Sequence, residues 1–490
     1  MPLRDMDREQ AWLLPPSLDD LLPLDHPARF VAEFVDALGK EGWAELGVEI
    51  AGDPLGAPAY HPSALLSVWL YGFMTGVRSC RKLEMACRDQ IPYLWLTGWQ
   101  HPDHNTLWRF YKAHRQAMRE LFKRTVRTAV AMKLVDLAVQ AVDGSKVAAN
   151  ATRDRTYDAE RGRRLLNRLE KAIADLEAQN EAGEDAPAVH LPEQLADKRA
   201  LREQVQQAMD DLASQDRLKH VNLTDPDARL MKTRQGIVPS YNGQAMVSPV
   251  RGEGGEVAGM LITAVGLVDE PTDYGQFAPM LEQAEETTGS KALMTLADAG
   301  YYSGSNLEEC AGRGQEVTMP ESLPSPELPY HKDRFIYDEQ SDSFTCPEGQ
   351  TLHFERIQRS AKKDGLRNRV YRAHWKVCRS CPAFGVCTKS ERGRGIAVGR
   401  YDASLRSHRA WMSTDTAREM YKLRKHLVEP VFGIIKEQLR ARRFLLRGLA
   451  NVSAEWTMLA TAFNLRILWK AWSSLRLHFP NVDLQPQPGF

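Results

Sequence analysis

Asp143 and Asp298 each stand where an apolar run stops, the first after Ala138-Val139-Gln140-Ala141-Val142 and the second after Ala292 to Ala297. A carboxylate on a buried strand is costly to desolvate unless a cation or hydrogen bonds offset the penalty. Two such acids at one sheet edge also repel each other. A divalent cation that prefers hard oxygen ligands, magnesium or manganese, removes both problems. A third acid, Glu429, lies in a helical pattern over Ala417 to Arg440 with Lys436 seven residues on, so the two share nearly one face. Pro430 follows Glu429 directly and must kink this helix or start a new one. Three carboxylates are a minimal cage for two metal ions about 3.5–4 Å apart, which hold nucleophile and leaving group in line across a phosphodiester. Taken singly, an Asp at a strand end is often a turn former, and a Glu–Lys pair on a helix is often only solvated.

A second constellation is Cys346, Cys378, Cys381 and Cys387, four thiols within 42 residues that include one C-x2-C pair. The spacing suits a closed tetrahedral zinc site with four thiolate ligands. The bland alternative is four scattered free thiols. The surrounding segment has little apolar core of its own and would need a staple. His353 and His374 are spare ligand candidates. Lys362, Lys363, Arg367, Arg369, Arg372, Lys376 and Arg379 lie around the thiols, as in a knob presented to DNA. Cys80, Cys87 and Cys310 fall in helical patterns and read as core thiols.

The elements that must position these groups fall into blocks. Helical spacing over Ala28 to Leu38, Ser63 to Met74, Arg81 to Gln90 and Asn105 to Met132 predicts an all-helical start. Its stretch 101–135 carries eight Lys or Arg, Arg109 among them, against two acids. Basic helices of this kind suit a helix-turn-helix DNA reader, and equally a bundle with a solvated basic face. Strands follow at 138–149, 241–250 and 260–268, then a helix over 276–287, a strand over 292–297, a helix near 306–311 and a strand near 316–319. That mixture of antiparallel hairpin and parallel crossovers is a ribonuclease-H-like order, in which the first and fourth strands lie side by side. Between the first two strands, Leu166, Leu169, Ile173 and Leu176 keep heptad spacing, as do Leu201, Val205, Ala208 and Leu212. They predict a projecting helical hairpin, an insertion or a dimer arm. The stretch 453–477 reads as an apolar core helix.

Composition sets outer limits. The chain has 490 residues, 43% of them hydrophobic, and 64 Lys+Arg balance 64 Asp+Glu. Length predicts about three domains. Neutrality excludes a protein held to nucleic acid by charge everywhere, but not local basic surfaces. One such surface is 400–447, with twelve Lys or Arg against five acids. Its Arg440, Arg442, Arg443 and Arg447, just after the Glu429 helix, suit the DNA backbone. The first nine residues contain no apolar stretch, no run is long enough to span a bilayer, and an odd count of seven Cys argues against a disulfide framework. A reducing cytoplasm is the expected location, with no membrane partner.

The chain resembles the DDE transposases of bacterial insertion sequences, in the branch with an N-terminal helical domain. The resemblance covers most of the chain and is carried by many pieces in order. They begin with His61-Pro62, Leu70-Tyr71-Gly72 and Arg78-Ser79-Cys80-Arg81-Lys82-Leu83-Glu84. Asp143-Gly144-Ser145-Lys146, Ala149-Asn150-Ala151, Asp225-Pro226-Asp227-Ala228-Arg229 and Gly243-Gln244 follow. The last are Ala297-Asp298-Ala299-Gly300-Tyr301, Val428-Glu429-Pro430-Val431-Phe432-Gly433, Lys436, Arg443-Phe444, Arg447-Gly448 and Asn464-Leu465.

The resemblance implies Asp143, Asp298 and Glu429 as catalytic acids holding magnesium or manganese. It implies Lys436, Arg424, Lys425, Arg78, Arg81, Lys82 and Arg109 as DNA contacts beside the four arginines named above. Tyr421, Arg424, Glu429 and Lys436 approximate a signature of related transposases, with one extra residue between Arg424 and Glu429. Lys425, one turn before Glu429, is the substitute for Arg424.

The expected fold class is mixed α/β. It comprises a helical DNA-binding domain over 1–135, a ribonuclease-H-like catalytic domain over 136–325 and 400–475, a hairpin insertion over 156–220, a zinc-binding insertion over 326–399 and a tail over 476–490. The expected activity is metal-dependent cleavage and strand transfer at the element's terminal inverted repeats and target DNA, by a homodimer or larger assembly. The rivals are a non-catalytic DNA-binding descendant and a metal-dependent nuclease that cuts without joining.

Overall fold

A computed structural model of the chain describes residues 17–50, 59–182, 191–215, 218–252, 254–321, 328–359 and 367–478. Lys362 and Lys363, the hairpin tip at 183–190 and the tail from 479 onward lie outside the described residues. The N-terminal part is helical: α1 (Pro27–Asp36), α2 (Gly39–Glu45), α3 (Pro62–Thr75), α4 (Cys80–Asp89), α5 (Ile91–Leu96), α6 (His104–His114) and α7 (Met118–Ala131). His61 caps α3 by accepting from the Ser63 N–H, Pro62 sits at the first turn where its missing N–H costs nothing, and Gly76 closes the helix in the left-handed region. The stretch expected as one helix from Asn105 to Met132 is two. Asp103 caps the first through the Thr106 N–H, and the chain turns at Arg115–Ala117 before α7 begins.

The main sheet contains β1 (Val139–Ala148), then β4 (Arg229–Thr233), β5 (Gly236–Arg251), β6 (Val257–Val268), β7 (Met294–Leu296) and β8 (Glu316–Thr318). Its order is β4-β5-β1-β7-β8, with β6 also on β5. β1 runs antiparallel to β5 and parallel to β7, and β7 is parallel to β8. Between β1 and β4 the two-residue strands β2 (Thr156–Tyr157) and β3 (Val221–Asn222) pair at the foot of a hairpin of two long helices, α8 (Ala159–Ala182) and α9 (Leu191–Ser214). Leu169, Ile173, Val205 and Ala208 are buried within it, as heptad spacing requires. Helices α10 (Phe277–Thr288) and α11 (Gly304–Arg313) provide the crossovers from β6 to β7 and from β7 to β8.

Residues 336–398 form a separate five-stranded antiparallel sheet: β9 (Ile336–Asp338), β10 (Ser343–Thr345), β11 (Thr351–Arg359), β12 (Arg367–Ala373) and β13 (Gly395–Val398), with α12 (Trp375–Arg379) before the last strand. Its core is small, Phe335, Phe344, Leu352, Tyr371, Ala373, Cys378 and Ile396. The chain returns through α13 (Asp402–Met412), α14 (Asp415–Glu437) and α15 (Leu449–His478). Pro430 lies inside α14, which continues through it as one helix.

Helix α15 is apolar on nearly every side because it packs on both α7 and β6. One buried core therefore runs from Val31 and Leu66 in the helical part, through Trp456 and Leu459, to Ala141 and Val265 in the sheet. Asn464 is the polar exception in that helix. It accepts from the Ile262 N–H at 2.9 Å and donates to the Ile262 carbonyl at 2.8 Å and to Thr125 Oγ1 at 3.1 Å. It thus satisfies a β6 residue beside the bulge and ties α7 to it.

Candidate active site

Side chains alternate along β1, and the Asp143-Gly144-Ser145-Lys146 segment uses both faces of the sheet. Asp143 and Ser145 face α14. Arg424 Nη2 of that helix lies 3.0 Å from Asp143 Oδ1 and 3.6 Å from Asp298 Oδ2, so two acids from parallel neighbouring strands meet at one nitrogen. Three turns further along α14, Lys436 Nζ donates to Ser145 Oγ at 2.6 Å. Asp298 sits in the turn after β7, its Oδ1 accepting from the Gly300 N–H at 2.8 Å. Burial pushes the Asp143 carboxyl up to about 6, with Asp298 adding to the shift and Arg424 opposing it. Burial pulls the Lys436 ammonium down. Arg424 is itself buried, and its Nε has no hydrogen-bond partner among the described residues.

On the opposite face, beneath Gly144 and Lys146, lies an acid that sequence reasoning missed. Asp273 accepts from Lys146 Nζ at 3.2 Å, Asn242 Nδ2 at 2.6 Å and Gln244 Nε2 at 2.8 Å. Gln244 in turn accepts from the buried Tyr301 hydroxyl. A Cβ on Gly144 would come within 2.5 Å of Gln244 Nε2 and 2.6 Å of Asp273 Oδ1, so any side chain there would displace this hydrogen-bonded pair. Nothing local marks Asp273, which follows Asp269-Glu270-Pro271-Thr272 in a turn-like stretch. The signal lay in its partners, the Asp-Gly-Ser-Lys run of β1 and an Asn-x-Gln on the adjoining strand.

Glu429 is not at this junction. It is exposed on α14, without a hydrogen bond or ion pair among the described residues, on the face it shares with Lys436. Accordingly, no three His, Cys, Asp or Glu side chains among the described residues are placed to hold a metal ion as they stand.

The expected DNA contacts divide by burial. Arg81, Lys82, Arg109, Lys425, Arg440, Arg442, Arg443 and Arg447 are exposed, with Arg442 paired to Glu437 at 2.6 Å and Arg447 Nε donating to the Asn150 carbonyl at 3.1 Å. Arg424 and Arg78 are buried, Arg424 against the acids and Arg78 in a 2.5 Å ion pair with Glu455. A guanidinium locked into a buried carboxylate is withdrawn from phosphate, and the sequence alone could not distinguish these two from their exposed neighbours.

In the small sheet, burial pushes the Cys387 thiol up, and Cys346, Cys378 and Cys381 are close enough to add to the shift. The Gln350 N–H points at Cys346 Sγ and the Arg394 N–H at Cys378 Sγ, each at 3.3 Å. His353 and His374 line a cleft of about 700 Å³ with Trp375 and Arg379.

Comparison with known families gives two matches. A model described as a transposase domain (DUF772) matches residues 16–113, and one described as a transposase DDE domain matches residues 345–469. Comparison with curated proteins gives no match. The first match spans α1 to most of α6. The second runs from the small sheet through α14 into α15, and so includes Glu429 and Lys436.

Proposed function

Because the chain belongs to the DDE-type transposases of insertion sequences, we propose that it binds its element's terminal inverted repeats and catalyses metal-dependent strand cleavage and strand transfer. The observation that carries this reading is the convergence of Asp143 and Asp298 on Arg424 Nη2. The strand order supports a ribonuclease-H-like core. An antiparallel trio, β6-β5-β1, is extended by parallel β7 and β8, and the acids sit where β1 and β7 adjoin.

The donor set fits a hard divalent cation, since Asp143 is a half-buried carboxyl whose charged form desolvation disfavours and a second carboxylate stands beside it. Asp143 and Asp298 would hold magnesium or manganese, with Glu429 as the third acid. Such an ion, when bound, activates the attacking oxygen and offsets charge on the phosphate. Arg424 neutralises the paired acids and holds them together at the edge of the sheet. Ser145 orients Lys436 toward the face that carries Glu429. Lys425, Arg440, Arg442, Arg443 and Arg447 hold the backbone beside the site, and Arg81, Lys82 and Arg109 extend that contact to the helical part. Such binding weakens steeply with salt.

For the domain limits we propose helices to 135, a catalytic core over 136–325 and 400–475, the hairpin over 156–220 and the small sheet within 326–399. For the small sheet we propose a structural zinc on Cys346, Cys378, Cys381 and Cys387. The reading is supported by the C-x2-C spacing, by the electrostatic reach of the other three thiols to Cys387, and by the small core beneath; the thiols would draw together on binding the ion. Two element ends must be cut and joined together, which calls for a dimer or larger assembly.

Asp143→Ala should abolish magnesium-dependent cleavage of DNA carrying the element's ends while sparing its binding, and a variant that still cuts would refute the assignment. Elemental analysis of the purified protein should return near-stoichiometric zinc, and its absence removes the zinc site. The same cleavage assay exposes the rivals, since binding alone marks a non-catalytic descendant and cleavage without joining a nuclease.

A further inference from the structure

The basic loop after α14 is unusually well anchored for an exposed segment. Arg78, at the entry to α4, donates from Nη2 to the carbonyls of Arg440 at 2.6 Å and Arg443 at 3.2 Å, while its Nη1 pairs with Glu455. Glu455, on α15, accepts from the Leu445 N–H and the Leu446 N–H, the latter at 2.9 Å. One buried ion pair thus takes up two carbonyls and two N–H groups of a single loop. Arg440 holds the left-handed conformation, with φ 55°, and a Cβ on Gly76 would come within 2.9 Å of the Gln438 carbonyl, so the helical part lies directly against this turn. Further along, Phe444 N–H donates to the Ala148 carbonyl at the end of β1, and Gly448 N–H to Asp225 at 3.1 Å.

The side chains of Arg440, Arg442, Arg443 and Arg447 are exposed while their backbone is fixed. Across from them, Ser79, Arg81, His104 and Asn105 at the starts of α4 and α6 line a cleft of about 420 Å³ whose other wall is Leu445 and Leu446. The two basic surfaces therefore adjoin, and the pair that joins them is invisible from outside.

We propose that the Arg78–Glu455 pair is a positioning latch that holds loop 440–447 against the N-terminal helices, so that both present arginines to one stretch of DNA backbone. The proposal rests on the DNA reading of that loop given above. A guanidinium fork serves three acceptors at fixed angles, whereas an ammonium on a flexible stem does not reproduce that geometry. Arg78→Lys therefore keeps the charge and releases the loop.

The test uses the full chain, a mixed-sequence linear duplex and three readouts: amide exchange at Leu445 and Leu446, duplex affinity, and its salt slope. In Arg78→Lys, exchange at both amides should accelerate and affinity fall about tenfold, with a shallower salt slope as phosphate contacts are lost. Combining it with Arg443→Gln should cost little beyond either change alone, because both remove the same contact. Glu455→Gln, which loses the charge and replaces one of the two acceptor oxygens by a donor, gives a second variant with the same expected direction should Arg78→Lys fold poorly. Unchanged exchange at Leu445 and Leu446 would overturn the latch. Faster exchange with undiminished affinity, where Arg443→Gln alone does weaken binding, would overturn its positioning role. If Arg443→Gln has no effect on binding, the DNA reading of the loop fails while the exchange data still report on the latch.

Discussion

In the hairpin of α8 and α9, which pack along each other, Leu169 and Ile173 on one helix and Val205 and Ala208 on the other are buried, and the strands at its foot are two residues long. At the acid edge, Asp143 of β1 and Asp298 of the turn after β7 meet Arg424 of α14, while on the other face Lys146 of β1 meets Asp273 of the stretch before α10. The hairpin is made from neighbours in the chain, with its stabilising contacts repeated at each turn. The acid edge is made from distant segments, and each contact occurs once. A structure of the first kind tolerates loss of one piece, and one of the second kind does not.

The sharpest way to break that contrast is Asp298→Ala, which should lower strand cleavage by at least about 10³-fold, as several kcal/mol of metal-dependent stabilisation is lost. A single-turnover rate on nicked or end-bearing DNA checks it. Asp273→Asn touches no substrate in the proposed scheme but disturbs the partners of Lys146, Asn242 and Gln244 beneath the acids. A loss of about 10- to 100-fold in activity or metal affinity is expected, read as a raised magnesium requirement with DNA binding intact.

The third prediction concerns stability in the presence of a chelator. The Asp143 carboxyl is raised to about 6 from 3.8, so the fold favours its protonated form. That contribution is fully present below the unfolded value and lost as pH rises through about 6. Asp143→Asn mimics the protonated acid and should stabilise the metal-free protein by about 2 kcal/mol near pH 8 and by almost nothing near pH 4. Denaturant midpoints at the two pH values decide it. The smallest effect is expected at the hairpin. Joining Tyr157 to Val221 by a short turn should leave the stability of the remaining body within about 0.5 kcal/mol, measured by thermal unfolding.

Much of the core was legible for a physical reason. Buried strands such as Ala141-Val142 and Leu261-Ile262 need apolar runs, and α15 needs apolar residues on all sides because both of its faces are covered. Periodicity reports burial, and burial is what these elements share. The small sheet was not legible, and no spacing in its region predicts a strand. Eight of the nine residues of β11 are exposed, so the strand has neither an apolar run nor an alternating pattern, and its ladder hydrogen bonds leave no trace in residue type. The break at Arg115–Ala117 was hidden similarly, since apolar spacing resumes in α7 with no glycine or proline between.

Site residues divide along the same line. Asp143, Asp298, Lys436 and the four thiols stood out because their types are costly or unusual where the pattern placed them. Arg424 and Arg78 also stood out, but as members of basic clusters, and their burial reversed what could be inferred of them. Asp273 and Glu455 were overlooked because an acid among acids, or one polar residue in a helix, carries no signal until its partner is known.

From residue order alone come the helical start, the heptad hairpin, five of the six strands of the main sheet, and the acids Asp143, within β1, and Asp298, just after β7, because each is dictated by desolvation within a short window. Tertiary structure alone decided that Arg424 meets both acids, that Asp273 lies beneath Gly144, that Glu429 stands apart on the Lys436 face, and that Arg78 holds a loop more than 350 residues away. Those contacts depend on where α14 and α15 pack against the sheet, and packing is a property of whole faces that no local spacing records.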